Sequence, residues 1–179
     1  MNVLIAYATT EGHTREVVNR MTGMLTEAGH VVTRHDCGET GSGPDVSSFD
    51  AVLVAGSVHQ EVHQPVLVEF VTNNLESLSS RPSAFVSVSL SAALESGKST
   101  AQKYVDGFIQ QTGWTPNHVH LAGGAIRFLE YDFFKRFTVE HIVLGGKKSM
   151  PDASSGNPEY TDWASLEEFV SAFSGEMAA

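Results

Sequence analysis

The run Val3-Leu4-Ile5-Ala6-Tyr7-Ala8-Thr9-Thr10-Glu11-Gly12-His13-Thr14 changes character halfway along. Its first half is continuously apolar and of strand length, the pattern of a strand buried on both faces in a helix-covered parallel sheet. Its second half is small, polar or hydroxyl-bearing and contains one glycine. From Thr14 to Ala28 the residues Val17, Val18, Met21, Met24, Leu25 and Ala28 recur at helical spacing, and Gly29 supplies a stop. The loop therefore stands at a helix N-terminus, where unpaired backbone N–H groups and the positive end of the helix dipole suit a phosphate. Gly12 permits close backbone approach, and the hydroxyls of Thr9, Thr10 and Thr14 can donate to phosphate oxygens. No lysine or arginine precedes Arg15, so binding rests on neutral donors and fits a monophosphate better than a triphosphate with magnesium. The Walker pattern and the three-glycine dinucleotide fingerprint are both absent. The same residues also fit an ordinary Thr/Ser helix cap, and the loop alone does not choose between the two.

Outward from this run, strands and helices alternate. Val31-Val32-Thr33 and Ala51-Val52-Leu53-Val54-Ala55 are the second and third strands, the latter closed by Gly56-Ser57. Pro65 starts a helix through Val66, Leu67, Phe70, Val71 and Leu75. Ala84 to Val88 is a fourth strand, Ser96 to Gln111 a helix stopped by Gly113, and Val119 to Ala122 a fifth strand. Phe128 to Leu144 reads as an aromatic-rich helix and Met150 to Glu159 as a loop. A last helix, capped by Asp162, runs through Leu166, Phe169, Val170 and Phe173. This alternation predicts an α/β fold, a doubly wound five-stranded parallel sheet in the order 2-1-3-4-5 with helices on both faces. Ligands of such sheets gather at the carboxyl ends of the strands beside the switch point, which directs attention to three loops.

The 179 residues suit a single domain, 1–179, and no repeat or linker divides them. Eleven basic against 21 acidic residues leave a formal charge of −10, which repels nucleic acid and anionic membrane surfaces. Arg127, Lys135 and Arg136, with Lys147 and Lys148 beyond them, form the basic neighbourhood, read as a solvated face. The lone Cys37 cannot form an internal disulfide, and neither a secretory signal nor a membrane-length apolar run is present. The expected location is the cytoplasm.

The second loop is Ser57-Val58-His59-Gln60-Glu61-Val62-His63, and the third is Ser87-Val88-Ser89-Leu90-Ser91-Ala92-Ala93. His59 with His63, or His118 with His120, form pairs of potential metal ligands, but neither pair has the third ligand of a regular zinc motif. Hydrogen-bonded or solvated histidines are the simpler reading, and no metal is expected.

The run Ile5 to Thr14 resembles the phosphate-loop signature of the flavodoxins, departing from it at Ala6, where a larger apolar residue is usual. Beyond it, Thr14-Arg15-Glu16, Glu69-Phe70-Val71, Pro82-Ser83-Ala84-Phe85, Ser87-Val88, Gly124-Ala125-Ile126-Arg127-Phe128 and Tyr160-Thr161-Asp162-Trp163 resemble one branch of that superfamily. That branch is the bacterial flavodoxin-type, quinone-dependent protoporphyrinogen oxidases, and the resemblance runs from end to end. It implies a flavodoxin-like fold and an FMN cofactor, with the phosphate on Thr9, Thr10, Glu11, Gly12, His13 and Thr14. In the cofactor-binding set Ser57, Val58, His59 and Gln60, Val58 and His59 could wall the flavin ring, and the small polar loop with Ser87, Val88, Ser89, Leu90 and Ala92 could bring its backbone to the ring's pyrimidine edge. It further implies an oxidoreductase with a porphyrinogen-like electron donor, a quinone or redox-protein acceptor and peripheral contact with the inner face of a membrane. Arg127 is the candidate for a substrate carboxylate, and no protein acid or base is assigned. Two departures stand out. Where the branch has a Ser-Ile-Arg-Tyr-Gly-x-His loop, residues 57–63 replace the arginine, tyrosine and glycine, and the usual basic segment after Leu90 is Ser91-Ala92-Ala93-Leu94-Glu95-Ser96-Gly97-Lys98.

Overall fold

The computed structural model describes residues 1–40, 43–125 and 159–177. The expected helix over 128–144, nearly all of the expected loop at 150–159, Arg127 and the lysines near it lie outside these residues. The elements are β1 (Asn2–Ala8), α1 (His13–Glu27), β2 (Val31–Asp36), β3 (Ala51–His59), β4 (Val62–His63), α2 (Pro65–Asn73), α3 (Leu75–Ser79), β5 (Ser83–Ser89), α4 (Lys98–Thr112), β6 (His118–Gly123) and α5 (Trp163–Met177).

The sheet runs β2-β1-β3-β5-β6, all parallel, with β4 folded back antiparallel on β3. Leaving out β4, this is the expected 2-1-3-4-5. Side chains alternate across the sheet as strand geometry requires. Val3, Ile5 and Tyr7 join Leu53, Val86 and the inner residues of α1 and α5 in one core. Leu4, Ala6 and Ala8 join Val54, Phe85 and the helices α2 to α4 in the other. In the second core Phe85 stacks on Phe108 at 4.6 Å, and the fully buried Trp114 meets its edge at 6.0 Å. The register aligns Ala8 with Gly56 and Ser57 with Val88, so the loops after β1, β3 and β5 open at one edge.

Several expected boundaries are corrected. The third strand does not close at Gly56-Ser57; it continues to His59, turns through Gln60 and Glu61, and returns as β4. Both turn residues lie in the left-handed region, at φ 50° and 68°, as a two-residue hairpin turn requires. No Asn-Gly or Asp-Gly pair announces that turn. The Pro65 helix ends at Asn73, because Asn74 turns its amide back onto the Phe70 carbonyl at 2.8 Å and a separate short helix follows. The expected Ser96 start is a single tight turn over Glu95–Gly97, and α4 begins at Lys98. Its stop is as expected, with Gly113 left-handed at φ 71°.

Candidate functional site

The first loop is closed by Thr9, whose hydroxyl oxygen accepts the Gly12 N–H at 2.9 Å. Gly12, at φ 86°, is the N-cap of α1, and no side chain caps the helix. The Thr/Ser-cap alternative is therefore not what the loop builds. The Arg15 N–H turns back onto the Gly12 carbonyl at 3.1 Å, and the first-turn N–H groups before it have no intrahelical acceptor. Thr14, in that first turn, is fully buried, and its hydroxyl has no hydrogen-bond partner. Such an orphan costs about 1–3 kcal/mol, and a phosphate oxygen seated in the loop is an acceptor that would relieve it.

His13 is buried and turned away from the loop. Its Nε2 lies 2.7 Å from the Thr161 hydroxyl and its Nδ1 lies 3.2 Å from Glu16. Thr161 donates its own proton to the Gly123 carbonyl at 2.7 Å, so His13 Nε2 is the donor in the contact with Thr161. His13, Thr161 and Gly123 thus tie the first loop to the end of β6. Asp162 accepts the Ser165 N–H at 3.1 Å, the expected cap of α5, and Trp163 sits partly buried against the core, 6.4 Å from the His13 ring. Of the first-loop residues, His13 offers an anion its backbone, not its imidazole. Arg15 points outward to Asp36 at 3.1 Å.

In the second loop Ser57, Val58 and His59 are half-buried on the extension of β3, while Gln60 and Glu61 are exposed at the hairpin tip. The Ser57 hydroxyl accepts the Thr10 N–H at 3.4 Å and a proton from the Gln64 amide, which also donates to the Thr10 hydroxyl at 3.0 Å. Gln64 was not singled out from the sequence, since its position after a short hairpin gives no motif. Val58 pairs with His63 and His59 with Val62, so His59 and His63 point to opposite faces and cannot share a metal. His63 is buried between Phe85 and Phe108, at 5.1 and 5.0 Å, with Nε2 on the Ser87 hydroxyl at 3.1 Å. Burial pushes its pKa down to about 4. His118 is bonded to Glu176 at 2.7 Å, and His120 stacks on Phe169 at 4.9 Å with its pKa lowered by burial. Each histidine of the two pairs considered from sequence, except His59, has a structural partner.

In the third loop Ser87 and Val88 are strand residues buried in the core, and the Ser87 hydroxyl is held by His63. The Ser89 hydroxyl accepts the Ala92 N–H at 3.2 Å, which folds the loop into a tight turn. Leu90 and Ala92 are half-buried at its rim. The side chains of Ser87 and Val88 thus support the loop from beneath, leaving the rim residues and backbone to meet a ligand.

A family model for the flavodoxin domain matches residues 4–152. A Leishmania major protein named protoporphyrinogen IX dehydrogenase (quinone) is 30% identical over 173 residues, 95% of this chain and 73% of its own. An Escherichia coli protein of the same name is 30% identical over 177 residues, 95% of this chain and 93% of its own. Oxidised flavodoxin 1 of Bacillus cereus superposes with a TM-score of 0.57 at 11% identity, covering 97% of each chain, a likeness of fold. The flavodoxin domain implies a flavin. The glycine-capped loop and the orphaned Thr14 hydroxyl fit its phosphate-bearing form, and the level edge of β1, β3 and β5 leaves the three loops around one place. Sheet order, loop placement and a match over most of its length agree: the chain belongs to the flavodoxin domain family.

Proposed function

We propose that the chain is an FMN-dependent oxidoreductase of the protoporphyrinogen dehydrogenase kind, a single domain over 1–179 that passes electrons from a porphyrinogen-like donor to a quinone. The observation that carries this reading is the similarity, over 95% of this chain, to two proteins bearing that name. FMN in particular is supported by a loop that offers neutral donors and one helix N-terminus, enough for one phosphate monoester. The hydroxyls of Thr9, Thr10 and Thr14 and the backbone N–H groups of Glu11 and His13 hold the phosphate, while Gly12, its own N–H spent on Thr9, lets the backbone come close. Ser57, bonded to the Thr10 N–H, joins the phosphate donors, and Val58, His59 and Gln60 wall one side of the ring; Ser89, Leu90 and Ala92, set on Ser87 and Val88, meet its edge. Arg127 receives a substrate carboxylate. The flavin supplies the redox chemistry, and the chain supplies position and a water-poor wall. Among the described residues no helix is long and apolar enough to cross a membrane, which is compatible with a cytoplasmic protein that meets its quinone at the membrane surface.

The test begins with the absorption spectrum of the purified protein, where bound FMN gives flavin bands, and continues with porphyrinogen oxidation in the presence of a soluble quinone. A colourless protein that takes up no added FMN overturns the reading. A second reading, an FMN electron carrier, is favoured by the replaced arginine, tyrosine and glycine at residues 59–61. Full FMN occupancy without porphyrinogen turnover would select it.

A further inference from the structure

Gln64 is the N-cap residue of α2, yet its side chain does not cap that helix. It crosses to the first loop, where both protons of its amide are used: one on the Thr10 hydroxyl at 3.0 Å, the other on the Ser57 hydroxyl. Ser57 also accepts the Thr10 N–H. With their lone pairs so engaged, the two hydroxyls have their own protons left to give. The Gln64 carbonyl oxygen is buried without a partner near Gly56, over which the Leu67 methyl and the His63 ring carbon also close. The reverse amide orientation would bury two N–H donors in that apolar corner and spend both hydroxyl protons on Oε1. A buried orphan carbonyl is the more tolerable of the two, which fixes the polarity observed.

We propose that Gln64 is a positioning residue for anion binding: its amide holds Thr10 and Ser57 as proton donors toward the phosphate of the bound flavin. This role rests on the FMN reading above and adds a residue to it that touches only the loop. Gln64 stands between the β3–β4 hairpin and α2, so Thr10, in the loop after β1, is set from across the switch point.

Riboflavin has the same ring and ribityl chain as FMN but no phosphate, so the ratio of the two affinities isolates the phosphate. Gln64→Glu keeps the shape but can only accept; it takes both hydroxyl protons and turns lone pairs and a charge toward the loop. Binding is followed by quenching of flavin fluorescence on wild-type and variant proteins whose melting curves show them folded. The expected result is a fall in the FMN-to-riboflavin affinity ratio of about tenfold or more in Gln64→Glu. In Gln64→Met, which keeps the length and adds no charge, a fall of about threefold is expected. Parallel losses for both ligands, with the ratio unchanged in either variant, would mean Gln64 only props up the loop and would overturn the assignment. Wild-type protein that binds riboflavin as well as FMN would instead overturn the phosphate reading on which it stands.

Discussion

His63 sits between two phenyl rings, and that burial holds its pKa near 4, below the 6.5 of a free histidine. Between those two values the unfolded chain binds a proton that the folded chain refuses, so stability rises with pH through this window and falls as pH drops from 6.5 to 4. The full shift corresponds to about 3 kcal/mol. In His63→Gln, which keeps a partner for Ser87, the stability lost between pH 7 and pH 4 should shrink by about that amount relative to wild type, as read by urea denaturation at each pH. An equal loss in both proteins would show that His63 titrates normally. Thr14 gives a prediction of opposite signs. Thr14→Val removes a buried hydroxyl that lacks a partner, so the flavin-free protein should gain about 1 kcal/mol in stability. The same change removes a donor from the loop, and FMN affinity should fall about tenfold. Unchanged affinity by fluorescence titration would remove Thr14 from the phosphate site.

The hairpin of β3 and β4 is one of the two places where this chain departs from the branch it resembles, and its backbone bears on one of the replacements. Glu61 takes the place where the branch carries glycine, and its φ of 68° is a conformation that costs a side chain about 1–2 kcal/mol. Glu61→Gly should therefore stabilise the protein by about 0.5–1 kcal/mol after the added freedom of the unfolded glycine is set against the relief. A destabilised variant in thermal or urea melts would mean the exposed Glu61 side chain makes a compensating contact. Elements whose signal is burial were legible from the sequence: β1, β3 and β5 as apolar runs, α1 and α4 as periodic faces with glycine stops at Gly29 and Gly113. The β3–β4 turn was not, because its two left-handed residues are glutamine and glutamate, held by tertiary pairing instead of local preference. The loop proposed for the phosphate rests on Gly12 and threonines that are neighbours in sequence, whereas Gln64 and the His13–Thr161–Gly123 tie join residues far apart in sequence, and no local pattern encodes such contacts.

At the scale of the whole molecule, the proposed FMN binding asks an acidic chain to hold an anionic ligand. The formal charge is −10, the FMN phosphate is a dianion near neutral pH, and the first loop carries no lysine or arginine before Arg15, which is itself paired to Asp36. Two fields therefore oppose each other: local dipoles of the helix N-terminus and hydroxyls attract the phosphate over a few ångströms, while the summed charge repels it over longer distances. Salt separates them, because the screening length shrinks from about 30 Å at 0.01 M to about 8 Å at 0.15 M and leaves short hydrogen bonds untouched. FMN affinity should hold steady or rise by a factor of about two to three across that range, chiefly through faster association. Riboflavin, which carries no charge, should show no comparable change. A phosphate site built on cationic side chains behaves in the opposite way and weakens as salt is added. Stopped-flow association of FMN at the two ionic strengths reads the difference, and a rate that falls with salt would place a basic side chain beside the phosphate.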